Sequence, residues 1–252
     1  MSQESRKVYP DADTLARAAA VELMHLAKES VASRGIFTLA VAGGSTPRKL
    51  YSLLGTDAEF RDFPWDKTHL FFGDERHVPP SHIDSNYLMV GSTLLSSGLV
   101  PATHVHRVRA ELPDANVGAL DYDVEMHTFF TQEMRLGGFP RFDVILLGMG
   151  PDGHTASLFP GSKALEEKDR WVVANWVEKF NSARITFTYP VINAAAHILL
   201  LVAGADKTDM LHEVLVVKNR AVSYPVEGVQ PVDGARVWML DHAAAERLPQ
   251  TL

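Results

Sequence analysis

The sequence predicts an α/β fold, doubly wound, with a mostly parallel sheet and helices on both faces, and three observations predict it. Four segments, IFTLAVAGGS (36–45), HLFFGDER (69–76), FDVILLGMGPDGH (142–154) and HILLLVAGADK (197–207), are apolar for the length of a strand and then change abruptly to glycine and polar residues. Their apolar character extends to both faces, as in parallel strands covered by helices on each side. Between them lie segments with helical spacing, so strand and helix alternate along the chain. The order is Rossmann-like. No Ser/Gly/Pro-rich linker divides it, so residues 1–252 read as one domain.

Taken in order, residues 13–33 place Leu15, Ala19, Leu23, Leu26 and Ala27 at helical spacing. Asp11 or Asp13 can cap that helix and Gly35 stops it. After the first strand, TPRKLYSLL (46–54) reads as a helix whose cap is Ser45 or Thr46, with Pro47 in its first turn. After the second, SNYLMVGSTLLSS (85–97) reads as a helix capped by Ser85 or Asn86, and DANVGALDYDVEMHTFFTQEM (114–134) as another. RITFTYPVIN (184–193) looks like a further strand, stopped by Pro190. DKTDMLHEVLVV (206–217) is the helix after the fourth run.

Composition narrows the function. A net charge of −7 with no Lys/Arg run argues against a nucleic-acid partner. The absence of cysteine removes thiolate nucleophiles, disulfides and Cys-based metal sites. No stretch approaches the roughly 20 apolar residues of a membrane span, and the N-terminus lacks a signal-like apolar run. The expectation is a cytoplasmic protein with a small-molecule ligand and no membrane partner; its oligomeric state is left open.

Open parallel sheets bind ligands beyond the carboxyl ends of their strands, and four strand ends here carry unusual polar residues. In AGGSTPRKL (42–50), Gly43 and Gly44 permit a tight turn, and Ser45 and Thr46 begin a helix whose free N–H groups suit a phosphate; the alternative is an ordinary strand-to-helix turn. In FFGDERHVPP (71–80), Arg76 could hold an anion and Asp74 could bind a hydroxyl or take a proton, or the two could simply tie down a loop. GMGPDG (148–153) matches a dinucleotide fingerprint by spacing, but Asp152 would repel a pyrophosphate and no acid clearly ends the next strand. Asp152 and His154 read instead as an orienting acid with a proton-transfer base, against the alternative of a histidine satisfying its own turn. Arg184 and Lys207 are solvated charges if taken singly. With Arg76 and the Gly43–Thr46 loop they could hold a dianionic phosphate. His104 and His106 form H-x-H without an acid cluster, a pattern more often unliganded than metal-binding.

Five motifs in register, LAVAGGSTPRKLY, FFGDERHVPPSHIDSNY, DVILLGMGPDGHTASLFPG, RITFTYPVINAA and VAGADKTDML, together with a late VWMLD, resemble the 6-phosphogluconolactonase family from about residue 36 to residue 240. That family is related in fold to glucosamine-6-phosphate deaminase. The resemblance implies hydrolysis of 6-phosphoglucono-1,5-lactone in the oxidative pentose phosphate pathway, with no metal and no organic cofactor. It makes His154 the expected catalytic histidine with Asp152 beside it, places Asp74 and Arg76 in the acidic–basic loop, and puts Gly43, Gly44, Ser45, Thr46, Arg184 and Lys207 on the phosphate side. The related deaminases carry a glutamate a few residues after D-G-H, where this chain has Phe159 in SLFPG. That difference favours lactone hydrolysis over deamination or isomerisation. A sugar-phosphate deaminase or isomerase, and a noncatalytic sugar-phosphate sensor, are the competing readings.

Overall fold

The computed structural model describes residues 3–217 and 223–249. In chain order the elements are β1 (Gln3–Tyr9), α1 (Ala12–Arg34), β2 (Phe37–Val41), α2 (Ser45–Thr56), β3 (Thr68–Phe72), β4 (Asp74–Arg76), α3 (Asn86–Thr93), β5 (Val105–His106), α4 (Ala115–Phe129), β6 (Arg135–Leu136), β7 (Phe139–Pro140), β8 (Val144–Leu147), β9 (Val172–Val177), β10 (Ser182–Phe187), α5 (Tyr189–Ala194), β11 (His197–Val202), α6 (Thr208–Leu215), β12 (Ala235–Asp241) and α7 (His242–Ala245), joined by short 3₁₀ turns.

Seven strands form one parallel sheet in the order β1-β12-β11-β8-β2-β3-β5. From β2 the chain winds outward through β3 to β5. It then returns to the other side of β2 at β8 and winds through β11 to β12. The strand order therefore reverses between β2 and β8, where a doubly wound sheet leaves a crevice at its carboxyl edge. Every residue of β2 and of β8 is buried, as cover on both faces requires.

Local chemistry sets the ends of these elements. Asp11 caps α1, its side chain accepting from the Thr14 amide at 2.7 Å, and Gly35 ends it in the left-handed region at φ 75°. One stripe of α1, from Leu15 to Ala27, is buried in the core. At the amino edge of the sheet, the buried Asp143 carboxylate accepts from the Thr38 amide (2.8 Å) and hydroxyl (3.0 Å) and from Arg34. It thereby pins β2 to β8. At the carboxyl edge, two buried tyrosines brace the strand ends. The Tyr51 hydroxyl meets both N–H and C=O of Ala42 at 2.9 Å, and the Tyr122 hydroxyl accepts from the Phe72 amide at 2.8 Å. Burial holds both phenols far above their ordinary range, so each stays neutral and able to donate as well as accept.

Several expectations change. The segment 69–76 is not one strand: Gly73 divides it into β3 of the large sheet and β4 of a separate three-stranded antiparallel sheet, β4-β10-β9. Gly73 belongs to both, its N–H donating to Val41 of β2 and its C=O accepting from Phe187 of β10. The strand expected in 184–193 is β10 of this small sheet, and α5 follows it, with Pro190 in its first turn. Neither Ser45 nor Thr46 caps α2; the N-cap is Gly44, at φ 112°, with no side-chain bond. The strand β1 carries no apolar pattern, because at the sheet edge most of its residues are exposed.

Candidate active site

The loops after β2, β3, β8 and β11 and the small sheet meet around one cleft at the strand-order reversal. It has two lobes. The first, about 320 Å³, is lined by Gly43, Gly44, Ser45 and Thr46, by Asp74, Arg76 and His154, and by Lys207. The second, about 450 Å³, is lined by Asp74, Arg76 and His154 again, with Phe159, Phe180 and Arg184. A larger cleft of about 890 Å³ lies at the β1 edge beside Glu4 and Trp238. Its Glu4 is engaged by Trp238 and Arg236, and no acid–imidazole contact is made there among the described residues.

His154 and Asp152 are in contact, a point that spacing alone leaves open: Nδ1 lies 2.5 Å from Asp152 Oδ1. The backbone makes this possible by folding back on itself, with the Gly150 amide donating to the His154 carbonyl at 2.8 Å and the Gly153 amide to the Gly150 carbonyl at 3.0 Å. A Cβ at position 150 would overlap the His154 ring, so this close approach requires glycine. Asp152 does not line either lobe and stands behind the imidazole. Its second oxygen accepts from Lys179 Nζ at 3.2 Å. Burial alone would raise this carboxyl, but the bonds from His154 and Lys179 outweigh it and hold Asp152 below the usual carboxylate range. An ionised acid bonded to Nδ1 fixes the tautomer that carries hydrogen there. It leaves Nε2 without a hydrogen-bond partner among the described residues.

Asp74 is 8% exposed and closely held, accepting from Ser157 Oγ at 2.6 Å, while Asn86 donates to its backbone carbonyl at 2.9 Å. The next residue, Glu75, is buried and accepts from the amides of Asn86, Tyr87 and Arg76 at 2.7–2.8 Å, tying the start of α3 to β4. Its burial outweighs those donors and raises its pKa. Arg76 donates to the Asp84 carbonyl. Arg184 sits directly across from it in the β4–β10 pair, over the Phe180 ring at 5.3 Å. Neither guanidinium is paired with a carboxylate among the described residues. Like charges opposed in this way are unfavourable unless an anion joins them. Burial, then the charge of Arg76, lowers the Arg184 pKa. Lys207 is engaged by Asp206 at 2.9 Å.

The ten residues expected at the catalytic and phosphate positions thus stand at one site, nine of them lining the cleft and Asp152 behind it. The sequence reading missed Asn86, taken only as a helix cap, and Ser157, Lys179 and Phe180. Asn86 follows the true cap, Ser85. Lys179 and Phe180 belong to the β9–β10 turn, in no motif of their own, and only the fold brings them to Asp152 and Phe159. His104 and His106 pack against His69 away from the cleft. Among the described residues no group of three or more acids and histidines is arranged to hold a metal ion, and no helix is long and apolar enough to cross a membrane.

An imidazole with an ionised acid behind it, in a cation-lined crevice at the carboxyl edge of a doubly wound sheet, is an arrangement able to exchange a proton beside a bound anion. Residues 10–238 match the family described as glucosamine-6-phosphate isomerases/6-phosphogluconolactonase, and the chain belongs to that family. It is 40% identical over 96% of its length, and 97% of the relative's, to a 6-phosphogluconolactonase of a Nostoc species. The structure of a 6-phosphogluconolactonase from Trypanosoma cruzi, 30% identical, superposes with a TM-score of 0.85, covering 98% of each chain. A monomeric glucosamine-6-phosphate deaminase shares the fold at 17% identity, with a TM-score of 0.78 over 96% of this chain and 99% of its own.

Proposed function

We propose that this chain hydrolyses 6-phosphoglucono-1,5-lactone to 6-phosphogluconate, in the oxidative pentose phosphate pathway of the cytoplasm. The observation that carries the reading is His154, backed by Asp152 and lining a cleft with Arg76, Arg184 and Lys207. The lactone carbonyl is already electrophilic, so water can attack it without a covalent intermediate. His154, neutral and presenting Nε2, takes a proton from that water as its oxygen bonds to the carbonyl carbon. Asp152 steadies the imidazolium through Nδ1. The carbonyl oxygen becomes an oxyanion, for which Arg76 or loop N–H groups are the available donors. The tetrahedral adduct then collapses: the bond to the ring oxygen breaks, and His154 returns its proton to that oxygen.

The phosphate serves as a handle that orients the ring. Its binding groups are the free N–H groups at the start of α2, with Ser45 and Thr46, and the cations Lys207 and Arg184, which approach from different lobes. Asp74, fixed by Ser157 and Asn86, is placed to accept from a substrate hydroxyl. Position 159 near the imidazole is a phenylalanine and not a third acid that could assist ring opening, which favours hydrolysis over deamination or isomerisation. The test is proton release from freshly prepared lactone, with spontaneous opening subtracted. Acceleration that saturates with lactone supports the reading. Binding of 6-phosphogluconate without acceleration would indicate a sensor, and ammonia release from glucosamine 6-phosphate a deaminase.

A further inference from the structure

The imidazole of His154 is restrained twice. In its own plane, Nδ1 is bonded to Asp152 at 2.5 Å. On its face lies the ring of Phe159, with centroids 4.2 Å apart and planes 22° from parallel. A hydrogen bond at one edge leaves an imidazole able to rock about that bond, since the terminal torsion of histidine is broad. A flat ring stacked on the face removes that freedom. Phe159 is itself backed. It is 7% exposed, and Phe180 meets it edge-on at 5.8 Å and 75°. Phe180 and Lys179 are neighbours in the β9–β10 turn, so a single turn supports both restraints, Asp152 through Lys179 and Phe159 through Phe180.

We propose that Phe159 is a positioning residue for His154, its ring fixing the plane in which Nε2 meets the cleft. The inference rests on the reading of His154 as the proton-transfer group. It assigns to an apolar side chain a share of catalysis exercised through the imidazole and not through the substrate. Misaligned proton transfer lowers turnover more than binding, because ground-state contacts to the phosphate are untouched.

The experiment compares Phe159→Leu, which keeps apolar bulk but loses the flat face, with Phe159→Tyr, which keeps the face. Phe159→Met is a second loss of the face should the leucine variant not fold, since methionine adapts to irregular space. Two readouts are taken on each: kcat and KM with fresh lactone, and the His154 ring-proton resonances of the free protein by NMR. The expected result for leucine or methionine is a fall in kcat of about tenfold with KM within about twofold of the parent. Loss of the ring-current shift on the His154 protons should accompany it, while tyrosine retains both properties. An unchanged kcat in the leucine or methionine variant overturns the proposal, as does a loss confined to KM, or a tyrosine variant as impaired as leucine. Should the chain not hydrolyse the lactone, the NMR comparison still decides whether Phe159 holds the imidazole, because no substrate is present.

Discussion

At the residue scale the site is a short chain of dependence: Lys179 holds Asp152, Asp152 holds His154, and His154 alone faces the cleft. On the proposed mechanism, removing the last link removes the chemistry and leaves the phosphate contacts. His154→Ala should lower kcat by about a hundredfold or more with KM little changed. Turnover within a few-fold of the parent would refute the role. The cations should behave in the opposite way. A charge-assisted hydrogen bond is worth about 1.5–3 kcal/mol, so Arg184→Ala and Lys207→Ala should each raise KM by roughly ten- to a hundredfold. An unchanged KM in both would remove them from the phosphate site. The positions gathered at the cleft stand out locally in the sequence, as a glycine turn, an acid two positions before a histidine, or a cation at either end of an apolar run. Lys179, Ser157 and Phe180 were not, because what makes them important is a neighbour more than 20 positions away.

At the scale of elements, β2 and β8 carry the two central loops, so their alignment decides whether the cleft exists. Their pairing is short, Leu39 with Val144 and Ala40 with Ile145. The Asp143–Thr38–Arg34 cluster stands at the opposite end of these strands from the chemistry. Asp143→Ala leaves the buried Thr38 amide and hydroxyl without their acceptor, and an unsatisfied buried polar group costs about 1–3 kcal/mol. A urea titration of this variant should show a loss of that size, and a midpoint equal to the parent's would show that the cluster is not a clasp. The interior strands were legible from their apolar runs. The edge strand β1 was not, because exposed positions impose no pattern. The division at Gly73 was also hidden, because a continuous apolar-then-polar run reads the same whether or not the chain changes sheets within it.

At the scale of the whole molecule, stability should carry the mark of a histidine cluster outside the cleft. His69 Nδ1 lies 3.0 Å from His106 Nε2, His104 stacks on His69 at 4.0 Å, and Glu125 engages the other nitrogen of His106 at 2.8 Å. Burial, then the charges of His104 and His106, pull His69 from the ordinary 6.5 down to about 4. The folded protein therefore binds this proton less readily than the unfolded chain. The stabilisation is complete above 6.5 and is lost as pH falls toward about 4. His69→Phe should flatten the decline of the urea midpoint across that window, and a decline parallel to the parent's would count against it. The doubly wound architecture was legible as a whole, but the small sheet was not, and its place has a mechanical consequence. Arg76 and Arg184 ride on β4 and β10, while Lys207 and the Gly43–Thr46 turn ride on the large sheet, and Gly73 is hydrogen-bonded into both. A ligand that reached from one group of cations to the other would lie across the seam like a tie-rod and clamp together the two halves of the vise.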